Sequence, residues 1–134
     1  MTDDRHERGV AASIDARGIR PPAAYAIAPR SPAEGVTVLG LEGELDLAAA
    51  PVLRGHVDEA AGRALVLDLV RVSFIDSAVL KELLRARAEL AARDVRLVLA
   101  GVPRPVRRLL DLTRTSELFE GAPDAETAVR RLSA

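Results

Sequence analysis

The sequence predicts an α/β domain in which a mixed, mostly parallel sheet carries helices mainly on one of its faces. Three observations lead to this prediction. Strand-like and helix-like segments alternate along the chain, residues 64–69 (ALVLDL) form a short and almost continuous apolar run, and residues 77–92 repeat apolar side chains at helical spacing. Short apolar runs suit buried central strands, and strands that alternate with helices become parallel neighbours through right-handed crossovers.

Length and composition fit a single globular domain with an N-terminal extension. The chain has 134 residues, of which 49% are hydrophobic and 29% are charged, a balance typical of folded chains. The first residues combine mixed charges with Gly9, Gly18 and Pro21 and lack sustained apolar periodicity. We therefore expect a flexible tail over residues 1–20 and one folded domain over residues 21–134.

The first predicted elements are two strands and a helix. Tyr25-Ala26-Ile27 predicts a short edge strand, and the β-branched, apolar run that begins at Val36 (VTVLGLEG) predicts a second strand. Apolar residues at helical spacing follow Pro51 and stop at Gly62, which predicts a helix with proline at its first position. Alanines precede Pro51, so the usual Ser, Thr or Asp cap is missing and we expect this helix to fray at its start.

The middle of the chain contains the most regular pattern. Residues 64–69 predict the central strand, and the loop RVSFID that follows should pack Phe74 and Ile75 into the core. A long amphipathic helix is predicted from Ser77 to about Ala92. Its expected apolar face comprises Val79, Leu80, Leu83, Leu84, Leu90 and Ala91. Its expected outer face comprises Glu82, Arg85, Glu89 and Arg93, where Arg85/Glu89 and Glu89/Arg93 have ion-pair spacing.

Shorter elements complete the predicted order. Residues 95–100 predict a strand, Pro105 opens a short helix, Leu118-Phe119 predicts a final short strand, and Asp124 is a good N-cap for a last helix. The order is therefore β-β-α-β-α-β-α-β-α. We expect the first, edge pairing of the sheet to be antiparallel and the interior pairings to be parallel.

Composition excludes several classes of partner and cofactor. A net charge of -1 and an aromatic content of 2% give neither the field nor the stacking surfaces that nucleic acid or an anionic membrane requires. No apolar run is long enough to span a bilayer, and the charged start MTDDRHERGV is not a secretory signal, so we expect a cytoplasmic protein. The chain has no cysteine, and its two histidines, His6 and His56, are far apart in sequence. We expect neither a metal site nor a cofactor.

The sequence also disfavours an enzyme, and no catalytic residue is predicted. Glu44 and Asp46 form a pair of carboxylates, but no nucleophile lies near them in sequence. Ser77 lacks the G-x-S-x-G elbow, and His56 falls in the middle of a different predicted helix. No G-x-x-x-x-G-K-[ST] loop is present to hold a nucleotide.

The dipeptide Asp76-Ser77 stands where a buried strand has ended and the long helix begins. Asp76 can cap that helix by accepting from the amides two or three residues further on, and the Ser77 hydroxyl should point into solvent. A phosphate on Ser77 would meet free amides and a favourable helix dipole, and it would add negative charge beside Asp76. The dipeptide alone leaves two interpretations open, a simple helix cap or a modification site.

Three motifs occur in a specific order and spacing. Gly43-Glu44-Leu45-Asp46 precedes Ala50-Pro51, residues 65–69 (LVLDL) precede Phe74-Ile75-Asp76-Ser77, and residues 96–101 precede the pair of segments 106–110 and 118–119. In these features the stretch from Val36 to about Leu132 resembles the STAS domain of bacterial anti-sigma factor antagonists. The corresponding family segments are GELD…AP and VVLDLSGVTFIDSSGL.

This resemblance implies a non-enzymatic switch protein that exchanges partners. In the family, the unphosphorylated antagonist binds an anti-sigma factor that is itself a serine kinase of the GHKL type. That kinase phosphorylates the serine after the loop aspartate, here Ser77, and a PP2C-type phosphatase reverses the modification. The partner-facing residues implied for this chain are Glu44, Asp46, Asp76, Ser77, Ala78 and Lys81.

This chain departs from the family pattern within that same motif. The usual DSSGLG is replaced by Asp76-Ser77-Ala78-Val79-Leu80-Lys81. A glycine in place of Val79 would leave room for a partner's backbone close to the helix, and Lys81 replaces a small residue and should face that partner. These changes suggest altered partner specificity or a member that has lost kinase recognition.

Two other functions are compatible with the same fold. A stand-alone STAS domain can be an accessory subunit of a transporter complex, or a scaffold subunit of a stress-sensing assembly. In either case Ser77 would not be phosphorylated. A small basic cluster, Arg104, Arg107 and Arg108, is either a solvated helix face or a contact for acidic residues of a partner.

Overall fold

A computed structural model describes residues 25–133 and shows the predicted alternation of strands and helices. The predicted tail over residues 1–20 and the domain boundary at residue 21 lie outside the described residues. No helix among residues 25–133 is long and apolar enough to cross a membrane. The elements are β1 (Tyr25–Ala33), β2 (Val36–Leu45), α1 (Ala49–Glu59), β3 (Ala64–Ile75), α2 (Ser77–Ala92), β4 (Arg96–Ala100), α3 (Arg104–Leu112), a 3₁₀ turn (Ser116–Leu118), β5 (Glu120–Ala122) and α4 (Ala125–Ser133).

The five strands form one mixed sheet in the order β1-β2-β3-β4-β5. β1 runs antiparallel to β2, whereas the pairings of β2 with β3, β3 with β4 and β4 with β5 are parallel. The prediction of an antiparallel edge and a parallel interior is confirmed. The carboxyl ends of parallel strands lie along one edge of a sheet. Helices α1, α2 and α3 follow β2, β3 and β4, so all three helices begin at this edge of strand ends.

The core has two unequal layers on opposite faces of the sheet. The larger layer packs α1, α2 and α3 against the sheet through side chains such as Leu53, Leu83 and Leu110. The smaller layer packs α4 against Val38, Val66 and neighbouring side chains. The prediction that helices lie mainly on one face is therefore confirmed.

Helix α1 begins earlier than its sequence predicts. It starts at Ala49, so Pro51 is its third residue and not its first, and it ends at Glu59. Gly62 belongs to the turn that follows, where its φ of +90° suits glycine and a Cβ atom would lie 2.6 Å from the carbonyl oxygen of Gly35. Close approach of two backbones, rather than the helix end, explains this glycine.

The last strand is also displaced from its predicted position. Leu118 lies in the 3₁₀ turn, and β5 is formed by Glu120–Ala122, which pair with Val98–Ala100 of β4. Pairing with the neighbouring strand selects these three residues, although Leu118 and Phe119 have the higher strand propensity. Asp124 caps α4 as predicted, because its carboxylate accepts a hydrogen bond of 2.6 Å from the Thr127 amide.

Candidate partner-binding site at the start of helix α2

Strand β3 continues through the segment that the sequence predicts as a loop and carries two bulges there. Its register with β2 shifts between Gly40 and Glu42 and again between Gly43 and Glu44, and each shift adds one residue to β3. A bulge reverses the alternation of side chains between the two faces of a sheet. The segment therefore exposes two consecutive residues at a time, first Val70 and Arg71, then Ser73 and Phe74.

Phe74 is the clearest correction to the sequence prediction. Its side chain is 49% exposed, whereas Ile75 is 4% exposed and lies in the core as expected. Two consecutive strand residues point to opposite faces, and of β3 the smaller core layer includes only Ala64 and Val66, so at this end of the strand only the face towards α1, α2 and α3 leads into the core. The second bulge gives that place to Ile75 and leaves the Phe74 ring at the surface.

Asp76 joins β3 to helix α2 through both its main chain and its side chain. Its amide donates to the Leu45 carbonyl at 3.2 Å, which holds the helix start against the end of β2. One carboxylate oxygen accepts from the Val79 amide at 3.0 Å, so Asp76 is the N-cap of α2. The predicted capping role is confirmed.

Ser77 is the first residue of α2 and is exposed to solvent, as predicted. The amides of Ser77 and Ala78 precede the first helical hydrogen bond, which runs from the Leu80 amide to the Asp76 carbonyl at 3.0 Å. Neither amide has an acceptor within residues 25–133. A small anion attached to the Ser77 hydroxyl would therefore meet free N–H groups and the positive end of the helix dipole.

The end of strand β2 brings two further carboxylates to the same edge. Glu44 is the register partner of Phe74, and Asp46 follows Leu45, the register partner of Ile75. Glu44 and Asp46 are both exposed. The parallel pairing of β2 with β3 thus places Glu44, Asp46, Asp76 and Ser77 at one edge, although Glu44 and Ser77 are far apart in the sequence.

Asp46 also organises the start of helix α1. Its carboxylate accepts from the Ala48 amide at 2.9 Å, and its carbonyl accepts from the amides of Ala49 and Ala50. The N-cap residue Ala48 has no side-chain hydrogen-bond acceptor, and the sequence predicts fraying because such an acceptor is missing. An aspartate two residues before the cap supplies the hydrogen bonds instead, by forming an Asx turn.

Tyr25 supports this turn from the first strand. Its side chain is 5% exposed, and its hydroxyl donates to the Ala48 carbonyl at 3.3 Å. Burial, and secondarily the charge of Asp46, raises the pKa of Tyr25, so the phenol stays neutral and remains a donor. The start of β1 is thereby tied to the loop that carries Asp46.

Two exposed apolar side chains flank the acidic edge, and sequence reasoning missed both. Leu47 is 71% exposed and Phe74 is 49% exposed. Leu47 follows directly after the turn-forming Asp46, and a large apolar residue in a turn is a signal for a contact surface. Phe74 gave no comparable signal, because its exposure depends on a bulge that only strand pairing reveals.

The three residues of α2 that differ from the family pattern have different environments. Val79 is 1% exposed and points into the core, so the expectation that a glycine here would open space for a partner is wrong. Ala78 is half-buried, and Lys81 is exposed on the outer face of the helix. Of the three, Lys81 is the residue that can face a partner fully.

An ionic cluster fixes α2 against α1. Glu82 is 7% exposed, although the sequence predicts it on the outer face. Arg85 donates to both oxygens of Glu82 at 2.8–3.1 Å and to Asp58 of α1 at 3.0 Å. These hydrogen bonds raise the pKa of Arg85. Arg85 is thus turned towards α1 and away from Glu89, its expected partner. The Glu89 carboxylate instead lies 3.7 Å from Nε of Arg93.

Two arrangements, a serine–histidine hydrogen bond at Ser77 and a cluster of metal ligands, are not found among residues 25–133. Within residues 25–133 the Ser77 hydroxyl makes no hydrogen bond to His56, and no group of three His, Cys, Asp or Glu side chains is placed to hold a metal. A concave surface lined by Ser31, Gly35 and Gly62 lies by the β1–β2 turn, at the opposite edge of the sheet from Ser77. What the edge around Ser77 offers is an exposed hydroxyl among carboxylates and apolar side chains.

Comparison with known proteins identifies one domain family, and the similar structures include anti-sigma factor antagonists and a sulfate transporter family protein from Wolinella succinogenes. The family model for the STAS domain matches residues 31–128. The anti-sigma-F factor antagonist RsfB of Mycobacterium tuberculosis is 36% identical over 102 residues, which is 72% of this chain and 83% of that protein. An anti-sigma factor antagonist from Mycobacterium paratuberculosis has a similar structure, with a TM-score of 0.72 at 25% identity over 85% of this chain and 98% of that one. The Bacillus cell fate determinant SpoIIAA, in its phosphorylated form, shares the fold with a TM-score of 0.65 at 23% identity, over 80% and 99% of the two chains.

Proposed function

The chain belongs to the STAS-domain family of anti-sigma factor antagonists, and from this premise we propose that phosphorylation of Ser77 controls its binding to an anti-sigma factor. The relatives are regulatory binding proteins, and this chain is likewise not an enzyme. The observation that supports the proposal most strongly is the position of Ser77, exposed at the first turn of α2, where the amides of Ser77 and Ala78 have no acceptor within residues 25–133.

The proposed contact surface is the edge around Ser77. Leu47 and Phe74 supply apolar area, and exposed aromatic side chains are frequent anchors in protein interfaces. Glu44, Asp46 and Asp76 supply negative charge around them, which suits a partner surface with basic residues. Ala78 and Lys81 extend the surface along the first turns of α2.

A phosphate on Ser77 would change this surface without disturbing the fold. It would bring about -1.5 to -2 units of charge to an edge that already carries the carboxylates of Glu44, Asp46 and Asp76. The helix start accommodates that charge, because the amides of Ser77 and Ala78 point towards it. A partner fitted to the neutral hydroxyl would meet repulsion and would have to desolvate the phosphate. The modification thus acts on binding.

We assign the two enzymes of the switch from the family pattern. The anti-sigma factor would itself be a GHKL-type serine kinase that phosphorylates Ser77, and a PP2C-type phosphatase would remove the phosphate. The acidic contact edge is compatible with a kinase that presents basic residues to its substrate. No cofactor is needed on this chain, because ATP and catalytic metal ions would belong to the two enzymes.

Affinity purification from the native host tests the proposal. The baits are the full chain as wild type, Ser77→Ala and Ser77→Asp, and the retained proteins are identified by mass spectrometry. Wild type and Ser77→Ala should retain an anti-sigma kinase that Ser77→Asp fails to retain. Retention of the same transporter subunits by all three baits would contradict the proposal and favour an accessory role in a transporter.

A matched control separates charge from position. Ser73 is exposed in β3 close to Phe74, so Ser73→Asp adds the same charge near the edge without placing it at the helix start. The proposal predicts a weaker effect from Ser73→Asp than from Ser77→Asp. Equal losses of partner would mean that the site responds to net charge and not to Ser77.

A further inference from the structure

Lys81 has an unusual position in the charge distribution of the site. It is the only lysine of the chain. It is also the only cationic side chain in the two segments, residues 42–47 and 76–84, that form the edge around Ser77. All the other charges in those segments are carboxylates, and Lys81 itself is exposed.

The helix offers Lys81 no anion in the unmodified chain. Residues three and four positions away are neighbours on a helix surface, and for Lys81 they are Ser77, Ala78, Leu84 and Arg85. Arg85 has the same sign of charge and is held by Glu82 and Asp58. Lys81 forms no ion pair with any residue between 25 and 133.

We propose that Lys81 is the intramolecular counter-ion of a phosphate carried by Ser77, an inference that rests on the proposed function. Ser77 lies four residues before Lys81, and an anion placed four residues before a cation is the favourable order for a helical ion pair. The charged groups that the end of β2 and the cap of α2 bring to the same edge are Glu44, Asp46 and Asp76, and each of these carboxylates would repel a phosphate. Lys81 is therefore the one side chain of these segments that attracts it.

This pairing makes phosphorylation change two contacts at once. In the unmodified chain the Lys81 ammonium is free to bind an acidic group of the partner. In the phosphorylated chain the ammonium is occupied by the phosphate, so the partner loses that contact and meets new negative charge. Lys81 thus increases the difference in affinity between the two states.

The proposal is tested on the full chain with phosphoserine installed at position 77 during translation. The midpoint of the phosphate titration is followed by phosphorus NMR at low ionic strength in wild type and Lys81→Gln. The wild-type midpoint should be lower by about 0.3 pH unit, as expected for an exposed helical ion pair. The difference should shrink at about 1 M salt, where the Debye length falls to about 3 Å.

Two control variants make the result specific. Lys81→Arg keeps the charge and should keep the low midpoint. Arg131→Gln removes one positive charge from α4 on the opposite face of the sheet and should leave the midpoint unchanged. Equal midpoints in wild type and Lys81→Gln would overturn the pairing. Because translation installs the phosphate, this result is independent of any kinase, whereas failure of the host to phosphorylate Ser77 would overturn the proposed function alone.

Discussion

The substitution Val79→Gly tests the placement of a residue that the sequence predicts on the apolar face of α2 and that stands where the family pattern has a glycine expected to leave room for a partner. Val79 is 1% exposed and belongs to the larger core layer, close to the N-terminus of α2. Glycine at this position would restore the family pattern. If Val79 faced a partner, its replacement would change binding and cost little stability.

The burial of Val79 sets a much larger cost. Removing three buried carbons at about 0.8 kcal/mol each costs about 2.4 kcal/mol, and the lower helix propensity of glycine adds about 0.4 kcal/mol. A residual cavity adds to this sum because the surrounding core relaxes only in part. We expect the free energy of unfolding to fall by about 3 kcal/mol and the thermal midpoint to fall by about 10 °C for a domain of this size.

The assay is urea denaturation of wild type, Val79→Gly and Ala78→Gly, each followed by circular dichroism. Ala78 is the adjacent, half-buried residue of the same helical turn, so Ala78→Gly reports the propensity loss with little loss of packing and should cost at most about 1 kcal/mol. Equal destabilisation by the two substitutions would refute the placement of Val79 in the core.

Three further predictions concern the caps and the exposed ring. Asp76→Ala should lower the free energy of unfolding by about 1 kcal/mol in denaturation experiments. Asp76→Asn keeps an acceptor for the Val79 amide and should be nearly as stable as wild type. Equal stability of the two variants would show that the cap contributes nothing. Phe74→Ser should weaken partner binding more than tenfold in calorimetry, because it removes an interface anchor. Val70→Ser, at the other exposed apolar position of β3, should leave binding unchanged. Equal effects of the two substitutions would contradict the placement of the contact edge. Hydrogen bonds from Thr127 lower the pKa of Asp124, so the stability that Asp124 contributes is present above the ordinary carboxyl pKa of about 3.9 and is lost as the pH falls below it. Asp124→Asn should therefore reduce the fall of the thermal midpoint in this acidic range. An unchanged dependence of the thermal midpoint on pH would contradict the capping role.

Local sequence patterns determine most of this fold, and that is why they predict it. The apolar run at residues 64–69 forms the middle of the sheet, and the long helical repeat from Ser77 forms α2. The caps Asp76 and Asp124 are predicted correctly because an N-cap depends on groups only two or three residues away.

The mispredictions share a dependence on contacts that are distant in the sequence. Phe74 is exposed because of a bulge against β2, and β5 takes its position from pairing with β4. Glu82 is buried because Arg85 neutralises it while reaching across to Asp58 of α1. Each outcome depends on strand register or on helix packing, which no single segment of the sequence encodes.

The candidate site likewise combines features that local sequence predicts with features that depend on strand pairing. The Asp76-Ser77 motif is recognisable in the sequence, as is the acidic segment that holds Glu44 and Asp46. Their arrangement at one edge follows from the parallel pairing of β2 with β3. The apolar contribution of Phe74 and Leu47 to that edge becomes visible only when exposure is known.

The most direct test of the central claim compares the affinity of the unmodified chain with that of the chain carrying phosphoserine at position 77. Both are titrated by calorimetry against the anti-sigma factor retained in the affinity purification, and the thermal midpoint of each chain is measured alongside. We expect phosphorylation to lower the affinity by about 100-fold or more, because like charges brought together at an interface cost several kcal/mol. The thermal midpoints of the two chains should lie within a few degrees of each other. Equal affinities, or a loss of affinity accompanied by unfolding, would contradict a switch that acts on binding through Ser77.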